Sequence, residues 1–262
     1  MLECVVNISE GSRPDLVAAI AATAGTELLD VHSDADHNRS VLTLVGEDAP
    51  RRVARSAVDL LDLRAHRGAH PRFGAVDVVP FVPLRGSTMA DAEAARDRFL
   101  TWVADELAVP GFAYGRHRSL PEVRRRAFRD LSPDAGPATP HPTAGAVAVG
   151  ARDVLVAWNL WLVVPDLARA RHVADQVRGP DLRALGLAVG ARVQVSMNLI
   201  APHVVGPAEA WDRVAALVPV AGAELVGLVP ASLLDRTDPA RWSQLDLARE
   251  RTIEARLERP LG

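Results

Sequence analysis

The chain has 262 residues, of which 48% are hydrophobic and 24% are charged, and its net charge at pH 7 is -3. This composition predicts a soluble globular protein and excludes a strongly basic nucleic-acid binder. The single cysteine excludes an intramolecular disulfide and a thiolate-rich metal site. All 30 basic residues are arginine, which excludes a lysine Schiff base and a complete Gly-Lys-Ser/Thr phosphate loop.

The sequence contains neither an apolar run of membrane-spanning length nor a charged-then-apolar leader. We therefore expect a cytoplasmic protein with no membrane partner. The one cysteine, Cys4, lies in an apolar strand pattern, which predicts a buried thiol rather than a nucleophile.

The first part of the chain alternates strand and helix patterns. Ser12, Pro14 and Asp15 are typical of a helix start, with Ser12 as the capping residue. The predicted order is β-α-β-β-α-β, with strands over 2–6, 27–31, 40–45 and 76–84 and helices over 12–24 and 49–61.

The same order recurs in the second part, with strands over 154–163, 183–189, 192–199 and 224–229 and helices over 167–177 and 207–217. Two such units predict an α+β protein made of two ferredoxin-like α/β sandwich subdomains, each an antiparallel sheet with helices on one face. We place the subdomains at 1–150 and 151–262, with a ligand groove between them.

Two regions lie outside the repeats. The region between them predicts a helix over 89–107, an arginine-rich helix over 120–131 and a structureless connection over 132–143. Its arginine clusters at 116–118 and 124–126 are interpreted as solvated surface, with attraction of an anionic substrate as the alternative. After the second repeat, a helix is predicted from Pro239, and its leucines are expected to pack on a domain or on a partner subunit.

A polar segment, residues 66–77, joins a helix pattern to a strand pattern and carries two histidines. His66 and His70 are four residues apart, the spacing at which a helix presents two metal ligands on one face. Gly68 and Pro71 oppose a regular helix across this interval. We therefore expect no metal here and give His66 a supporting role.

His70 is the better candidate for chemistry, because a histidine in a loop can exchange protons near neutral pH. In the same segment, Arg72 would hold an anion and Asp77 would orient an imidazole. The alternative is a histidine that only caps the end of the preceding helix. The local residues do not decide between these two interpretations.

Two further polar clusters are candidates for binding. Residues 30–39 carry several Asp residues but lack the central Gly and the distal Glu of a calcium loop, so an Asx-rich turn is the alternative. Asn38 and Arg39 at its end would suit a carboxylate. Gln194 and Asn198 share one face of a predicted strand, which is either solvent surface or the wall of a polar ligand groove.

Together, several segments resemble the formiminotransferase family, which comprises glutamate formiminotransferase and the transferase portion of formiminotransferase-cyclodeaminase. The most specific is His70-Pro71-Arg72-Phe73-Gly74-Ala75-Val76-Asp77, and weaker segments are 3–11, 29–31, 38–41, 145–152, 194–199 and 225–230. They occur in the family's order and cover nearly the whole chain. The resemblance covers only the transferase portion, so we expect no cyclodeaminase half.

The resemblance implies that His70 is the catalytic histidine and that the loop 136–145 binds folate. It implies transfer of a formimino group from N-formimino-L-glutamate to N5 of the co-substrate tetrahydrofolate, with His70 as general base and then general acid. It also implies a homodimer that needs no metal and works in histidine degradation and one-carbon metabolism. The folate-loop residues are Gly136, Pro137, Ala138, Thr139, Pro140, His141, Pro142, Thr143, Ala144 and Gly145. Substrate-binding candidates are Asn38, Arg39, Arg72, Asp77, Gln194 and Asn198.

Two alternatives to this function stay open from the sequence. The loop 136–145 lacks the aromatic residue that mammalian family members carry near its end, and His32 stands where those members have an Asp. A related folate-dependent formyl or amidino transferase with another donor is therefore one alternative. A non-catalytic regulatory protein that binds a small molecule is the other, because a fold by itself does not define a function.

Overall fold

The computed structural model describes residues 1–68 and 72–258, and the chain divides into two compact units. The first unit is Met1–Asp153 and the second begins at Val154. Each unit has its own β-sheet and its own apolar core. Within the described residues, no helix is both long enough and apolar enough to cross a membrane.

The first unit contains a six-stranded mixed sheet in the order β2-β3-β1-β4-β6-β5. Its strands are β1 (Leu2–Ile8), β2 (Leu28–Asp34), β3 (Arg39–Val45), β4 (Val76–Pro83), β5 (Gly111–Tyr114) and β6 (Val147–Ala151). Its helices are α1 (Pro14–Ala22), α2 (Asp48–Leu60), α3 (Met89–Leu107) and α4 (Leu120–Arg126). The first four strands pair antiparallel, whereas β6 pairs parallel with both β4 and β5.

The predicted β-α-β-β-α-β order of the first unit is confirmed, and the sheet is larger than predicted. Strands β5 and β6 come from the inserted region and extend the sheet beyond β4. Strand β5 has only four residues and β6 has five. Strand β6 pairs with β5 and with β4, and both pairings join segments that are far apart in the chain. Local periodicity carries no signal for pairing of this kind. Cys4 is fully buried on β1, as predicted.

Apolar clusters lie on both faces of the first sheet. Helices α1, α2 and α3 contribute to one core on one face, which includes Ile20, Val53 and Phe99. Helix α4 contributes Val123 to a second apolar cluster with Phe112, on the opposite face. The prediction of helices on one face alone is therefore wrong for this unit, because the insertion supplies a helix to the other face.

The start of helix α1 differs from the prediction. The helix begins at Pro14, and Arg13 occupies the N-cap position without a capping hydrogen bond from its side chain. Ser12 does not cap the helix because its hydroxyl group instead hydrogen-bonds the carboxylate of Glu10 at 3.1 Å. The arginine-rich helix is also shorter than predicted, since α4 ends at Arg126 and Phe128 adopts a left-handed backbone with φ of 59°.

The second unit contains a four-stranded antiparallel sheet in the order β10-β7-β9-β8. Its strands are β7 (Val156–Leu162), β8 (Leu182–Val189), β9 (Arg192–Leu199) and β10 (Val220–Val226). Its helices are α5 (Leu167–Val177), α6 (Pro207–Ala215), α7 (Ala231–Asp235) and α8 (Ile253–Leu257). The predicted β-α-β-β-α-β order is confirmed here too, although β10 lies earlier in the chain than predicted.

The long helix predicted from Pro239 is wrong. The segment forms two short 3-10 turns, Pro239–Arg241 and Arg249–Arg251, before α8. Between them Asp246 has a left-handed backbone with φ of 54°, and its carboxylate accepts a hydrogen bond from the Leu225 backbone nitrogen at 2.7 Å. Leu245 and Leu247 are buried against the core of the second unit, as expected.

Candidate active site

The proposed catalytic residue, His70, lies outside the described residues, so its loop is defined by the segments on either side of it. On the amino-terminal side, the His66 ring donates from Nε2 to the carbonyl oxygen of Asn38 at 3.0 Å. Its other ring nitrogen, Nδ1, is buried and has no hydrogen-bond partner within residues 1–68 and 72–258. A Cβ atom on Gly68 would lie 2.5 Å from the carbonyl oxygen of His37, so this segment packs backbone to backbone on the β2–β3 turn. Residues 66–68 are not helical, in line with the argument against a histidine pair on one helix face.

Asn38 joins three segments of the first unit. Its Oδ1 atom accepts hydrogen bonds from the backbone nitrogens of Gly11 and Ser12 at 2.9 and 3.2 Å. Its Nδ2 atom donates to the carbonyl oxygen of Arg67 at 2.7 Å. The side-chain amide therefore holds the loop before α1 and the amino-terminal part of the 66–77 loop in fixed positions.

On the carboxyl-terminal side, Phe73 anchors the 66–77 loop. Its backbone nitrogen donates to Oδ1 of Asp77 at 2.5 Å. Its ring lies 5.3 Å from the Phe112 ring and 6.3 Å from the Phe128 ring, centroid to centroid. The loop is thus fixed by an aromatic contact and by a charge-assisted hydrogen bond close to His70 in sequence.

The proposed catalytic loop and the proposed folate loop are joined by their backbones. Gly74 and Gly145 form a β-bridge, and a Cβ on Gly74 would lie 2.0 Å from the carbonyl oxygen of Ala146. The backbone hydrogen bonds run from Ala75 to Ala144 at 2.9 Å, from Ala146 to Phe73 at 3.1 Å and from Leu63 to Thr143 at 2.8 Å. Two segments that are far apart in sequence therefore lie side by side.

The 136–145 loop has an exposed part and a tightly folded part. Residues 136–140 are exposed to solvent, and the turn that follows is closed by backbone hydrogen bonds of 2.7 and 3.0 Å between His141 and Gly145. The Nδ1 atom of His141 accepts a hydrogen bond from the Ala144 backbone nitrogen at 3.0 Å. The ring hydrogen of neutral His141 is therefore on Nε2.

A buried charge cluster lies beside the 66–77 loop. Asp77 is 2% exposed and forms an ion pair with Arg124 of helix α4. Burial lowers the pKa of Arg39; the negative charge of Asp77 opposes this shift, and the positive charge of Arg124 adds to it. Arg124 was expected to be solvated surface, and this expectation is wrong because the helix packs on the sheet and turns this arginine toward Asp77.

Arg72 is the third arginine near Asp77. One end of its guanidinium group, Nη2, donates to the carbonyl oxygen of Gly68 at 3.1 Å. The other end, Nη1, is buried and has no hydrogen-bond partner among the described residues. Burial lowers the pKa of Arg72, and the charge of Asp77 opposes that effect. A buried guanidinium donor without a partner is costly in a folded protein, and a bound anion would satisfy it.

Glu10 organises the loop that precedes helix α1. Its fully buried carboxylate accepts hydrogen bonds from the backbone nitrogens of Gly11, Ser12 and Arg13 at 2.8–3.0 Å and forms an ion pair with the Arg13 side chain. Burial raises the pKa of Glu10, but the hydrogen bonds from Arg13 and Ser12 outweigh it and lower the pKa overall. Glu10 is therefore a carboxylate at neutral pH.

In the second unit, Gln194 and Asn198 lie on β9, on the face opposite the helices. Their neighbours Val193, Val195 and Met197 point into the helix-covered core, as the alternating pattern predicts. Among the described residues, Gln194 is fully buried and neither its Oε1 nor its Nε2 atom has a hydrogen-bond partner, whereas Asn198 is exposed. The Gln194 amide can donate two hydrogen bonds and accept two, and none of these is made to a described residue.

The 30–39 cluster contains a turn at residues 35–38 that is rich in Asx residues, as the alternative to a calcium loop predicted. The Oδ1 atom of Asp34 accepts a hydrogen bond from the His37 backbone nitrogen at 2.8 Å. Within residues 1–68 and 72–258, no group of three or more His, Cys, Asp or Glu side chains is arranged to hold a metal ion.

Sequence reasoning missed Glu10 and Arg124. Glu10 lies in a segment that resembles the family, but nothing local shows that its carboxylate is buried. Arg124 had a detectable signal. It follows Leu120 by four residues, and Leu120 and Val123 contribute to the buried face of α4, so Arg124 lies at the edge of that face rather than opposite it.

Similarity to known proteins extends over most of the chain. Residues 1–152 match the family model of the formiminotransferase domain, N-terminal subdomain. The chain is 34% identical to a glutamate formimidoyltransferase of Streptococcus pyogenes serotype M1, with 89% of this chain and 90% of the relative covered. A glutamate formimidoyltransferase of Thermoplasma acidophilum is 33% identical, with 89% of each chain covered. A formimidoyltransferase-cyclodeaminase of Sus scrofa is 35% identical over 89% of this chain but only 51% of its own length. On the strength of this similarity over most of its length, the chain belongs to the formiminotransferase family.

Proposed function

We propose that this protein transfers the formimino group of N-formimino-L-glutamate to N5 of tetrahydrofolate. The contact between the 66–77 loop and the 136–145 loop carries this proposal. The family resemblance assigns catalysis to the first loop and folate binding to the second, and the two loops share a β-bridge and backbone hydrogen bonds. Such a junction supports chemistry at a folate atom.

His70 is proposed as the general acid and base of the transfer. A neutral imidazole would accept the proton that N5 loses as its bond to the formimino carbon forms. The resulting imidazolium would donate that proton to the glutamate nitrogen as the bond between this nitrogen and the carbon breaks. General acid-base catalysis of this kind contributes about 10²- to 10⁴-fold in rate.

Arginine side chains are proposed to bind the carboxylates of the formiminoglutamate donor. Arg72 has a buried Nη1 atom with no hydrogen-bond partner in the described part of the chain, and Arg39 is held in a partly desolvated position near Asp77. A guanidinium group binds a carboxylate through two parallel hydrogen bonds. Asn38 and Asp77 are proposed to support this part of the site by holding the surrounding backbone and charges.

Tetrahydrofolate is proposed to bind along residues 136–145. The exposed part of this loop offers surface to the ligand, and the turn closed by His141 and Gly145 holds that surface in place. Gln194 and Asn198 of the second unit are proposed as substrate-binding residues, since an amide can donate to and accept from a heterocycle. No step in this reaction requires the protein to supply a metal or a redox group.

We also propose that the protein is a cytoplasmic homodimer whose small-molecule substrates are formiminoglutamate and tetrahydrofolate. The proposal rests on the family resemblance. Light scattering coupled to size-exclusion chromatography measures the mass in solution, and a monomer of 28.0 kDa at micromolar concentration would contradict the dimer.

The function is tested by assaying His70→Ala for formimino transfer while tetrahydrofolate binding is measured separately. We expect binding to be retained and transfer to fall by at least about 10²-fold. His203→Ala, at an exposed histidine, is the matched control. Transfer by His70→Ala near the parent rate would overturn the role of His70.

The same assay separates the alternatives to this function. Turnover of formylglutamate in place of formiminoglutamate would indicate the related transferase with another donor. Ligand binding without turnover of either donor, unaffected by His70→Ala, would indicate a regulatory protein.

A further inference from the structure

We propose that Arg124 is a positioning residue for the transfer reaction, acting through Asp77 on the backbone of the loop that contains His70. The expected effect of Arg124 on kcat rests on the proposed function, whereas its expected effect on the loop backbone does not. Arg124 belongs to the inserted helix α4, to which neither the fold repeat nor the motif resemblance assigns a role.

Helix α4 is held in place by its amino-terminal cap and by apolar packing. Ser119 and Glu122 form a capping box at its amino-terminal end, with hydrogen bonds of 2.8–3.3 Å. Val123 is fully buried in the apolar cluster that also contains Phe112 and Phe73. Because α4 is fixed both by its cap and by this cluster, the backbone of Arg124 has a defined position against the sheet.

The two carboxylate oxygens of Asp77 have different partners. Oδ2 forms the ion pair with Arg124, and Oδ1 accepts the hydrogen bond of the Phe73 backbone nitrogen at 2.5 Å. The carboxylate is almost completely buried, so water does not replace either partner. One side chain thus links helix α4 to the backbone three positions after His70 in the sequence.

Arg39 also interacts with Asp77 and with Arg124. Arg39 is attracted by Asp77 and repelled by Arg124. Without Arg124, the Oδ2 atom of Asp77 loses its ion-pair partner, and the carboxylate is no longer held in one orientation. We expect the hydrogen bond from the Phe73 backbone nitrogen to Oδ1 to weaken as a result. Arg124 therefore keeps the carboxylate where it holds the loop.

A positioning role for Arg124 differs from a catalytic role in its effect on the kinetics. Arg124 acts on Asp77 and, through it, on the loop, so its loss should misplace the catalytic group and leave folate binding by residues 136–140 largely intact. A misplacement of about 1 Å lowers a reaction rate by about 10²-fold. The signature is a fall in kcat with little change in KM for tetrahydrofolate.

The experiment compares Arg124→Met, Arg124→Lys and Arg125→Met, with Arg125 as the exposed neighbour on the same helix. For Arg124→Met we expect kcat to fall by about 10- to 100-fold while KM for tetrahydrofolate changes by less than about threefold. Arg124→Lys, which keeps the charge, should recover at least about tenfold of that loss. Arg125→Met should retain the parent kcat. A kcat for Arg124→Met equal to that of Arg125→Met would overturn the inference, and so would a loss that Arg124→Lys does not recover.

Hydrogen exchange of the Phe73 amide provides a readout that does not depend on turnover. Arg124→Met should accelerate this exchange more than Arg125→Met does, and unchanged exchange would also overturn the inference. If Arg124→Met does not fold, Asp77→Asn replaces it in both measurements with the same expectations. A parent protein that transfers no formimino group contradicts the proposed function, whereas the exchange result still decides whether Arg124 holds the loop.

Discussion

Gly74 packs so closely on Ala146 that a Cβ atom on the glycine would lie 2.0 Å from the carbonyl oxygen of Ala146. Gly145 makes the reciprocal approach, since its φ is +69° and its Cβ would lie 2.6 Å from the carbonyl oxygen of Phe73. No side chain fits between the two loops at this point. We expect a backbone junction of this kind to couple movement of the 136–145 loop, the proposed folate loop, to the 66–77 loop.

The junction predicts that Gly74→Ala damages both stability and activity. The added methyl group must push the loops apart, which breaks the backbone hydrogen bonds on either side of the bridge. Overpacking of this kind costs about 1–3 kcal/mol of unfolding free energy. We also expect kcat/KM to fall by about 10- to 100-fold because the loops move relative to each other.

Gly179→Ala is the control for this substitution, because a Cβ atom there would meet no atom within 4 Å. Urea denaturation and steady-state kinetics of the two variants provide the comparison. Parent-like stability and kcat/KM in Gly74→Ala would show that the junction yields without consequence.

His141 predicts a specific pattern of substitution effects in the folate loop. His141→Ala leaves the backbone nitrogen of Ala144 without its side-chain acceptor, which costs about 1 kcal/mol. If that cost falls on the ligand-binding form of the loop, KM for tetrahydrofolate rises by about fivefold. In His141→Asn, the side-chain oxygen can take the place of Nδ1, so KM should stay near the parent value. Equal KM values for the two variants would contradict this role.

An apolar substitution of Gln194 is expected to increase stability and to weaken ligand binding. Its fully buried amide has no hydrogen-bond partner, so replacing it with an apolar side chain of similar size removes an unsatisfied polar group. We expect Gln194→Met to raise the unfolding free energy by about 1–3 kcal/mol and, at the same time, to weaken substrate binding.

Gln176→Met, at an exposed position of helix α5, is the control for the change of residue type. Thermal unfolding and isothermal titration with tetrahydrofolate and with formiminoglutamate measure the two effects. If Gln194→Met is stabilised and binds both substrates as the parent does, Gln194 is not part of the binding site.

The repeated β-α-β-β-α-β order could be predicted from sequence because each of its elements carries its own periodicity. The bounds of α5 match the predicted range 167–177, since its apolar residues follow helical spacing up to Val177. Strands β5 and β6 carry no such local signal, because they are short and pair with strands far away in the sequence. Pairing of this kind depends on tertiary contacts.

The candidate site was predictable where side-chain chemistry is local and unpredictable where burial decides. The 66–77 loop was proposed from its own residues and the 136–145 loop from the family resemblance, but no pattern in either loop predicts that they share a β-bridge. Arg124 was interpreted as surface because it stands among arginines. Its role depends on the packing of α4 against the sheet, which brings its charge to Asp77.

Glu10 predicts a pH dependence of stability. Burial raises the pKa of Glu10, whereas the hydrogen bonds from Arg13 and Ser12 lower it. The hydrogen bonds have the larger combined effect, so the pKa of Glu10 in the folded protein lies below the ordinary value of 4.5. A carboxylate whose pKa is lower in the folded state stabilises the protein fully above the unfolded pKa. This contribution is lost as the pH falls from there through the folded pKa.

Glu10→Gln removes that contribution at every pH. We expect it to lower the unfolding free energy by about 1.5–3 kcal/mol at pH 7, because several hydrogen bonds to a charged acceptor are weakened. The difference between parent and variant should narrow as the pH falls below about 4.5, because the parent then loses the same contribution. Urea denaturation of both proteins at about pH 7, 5 and 3.5 measures this difference, with Glu250→Gln as an exposed control. A difference that stays constant over this range would mean that the charge of Glu10 does not hold the loop before α1.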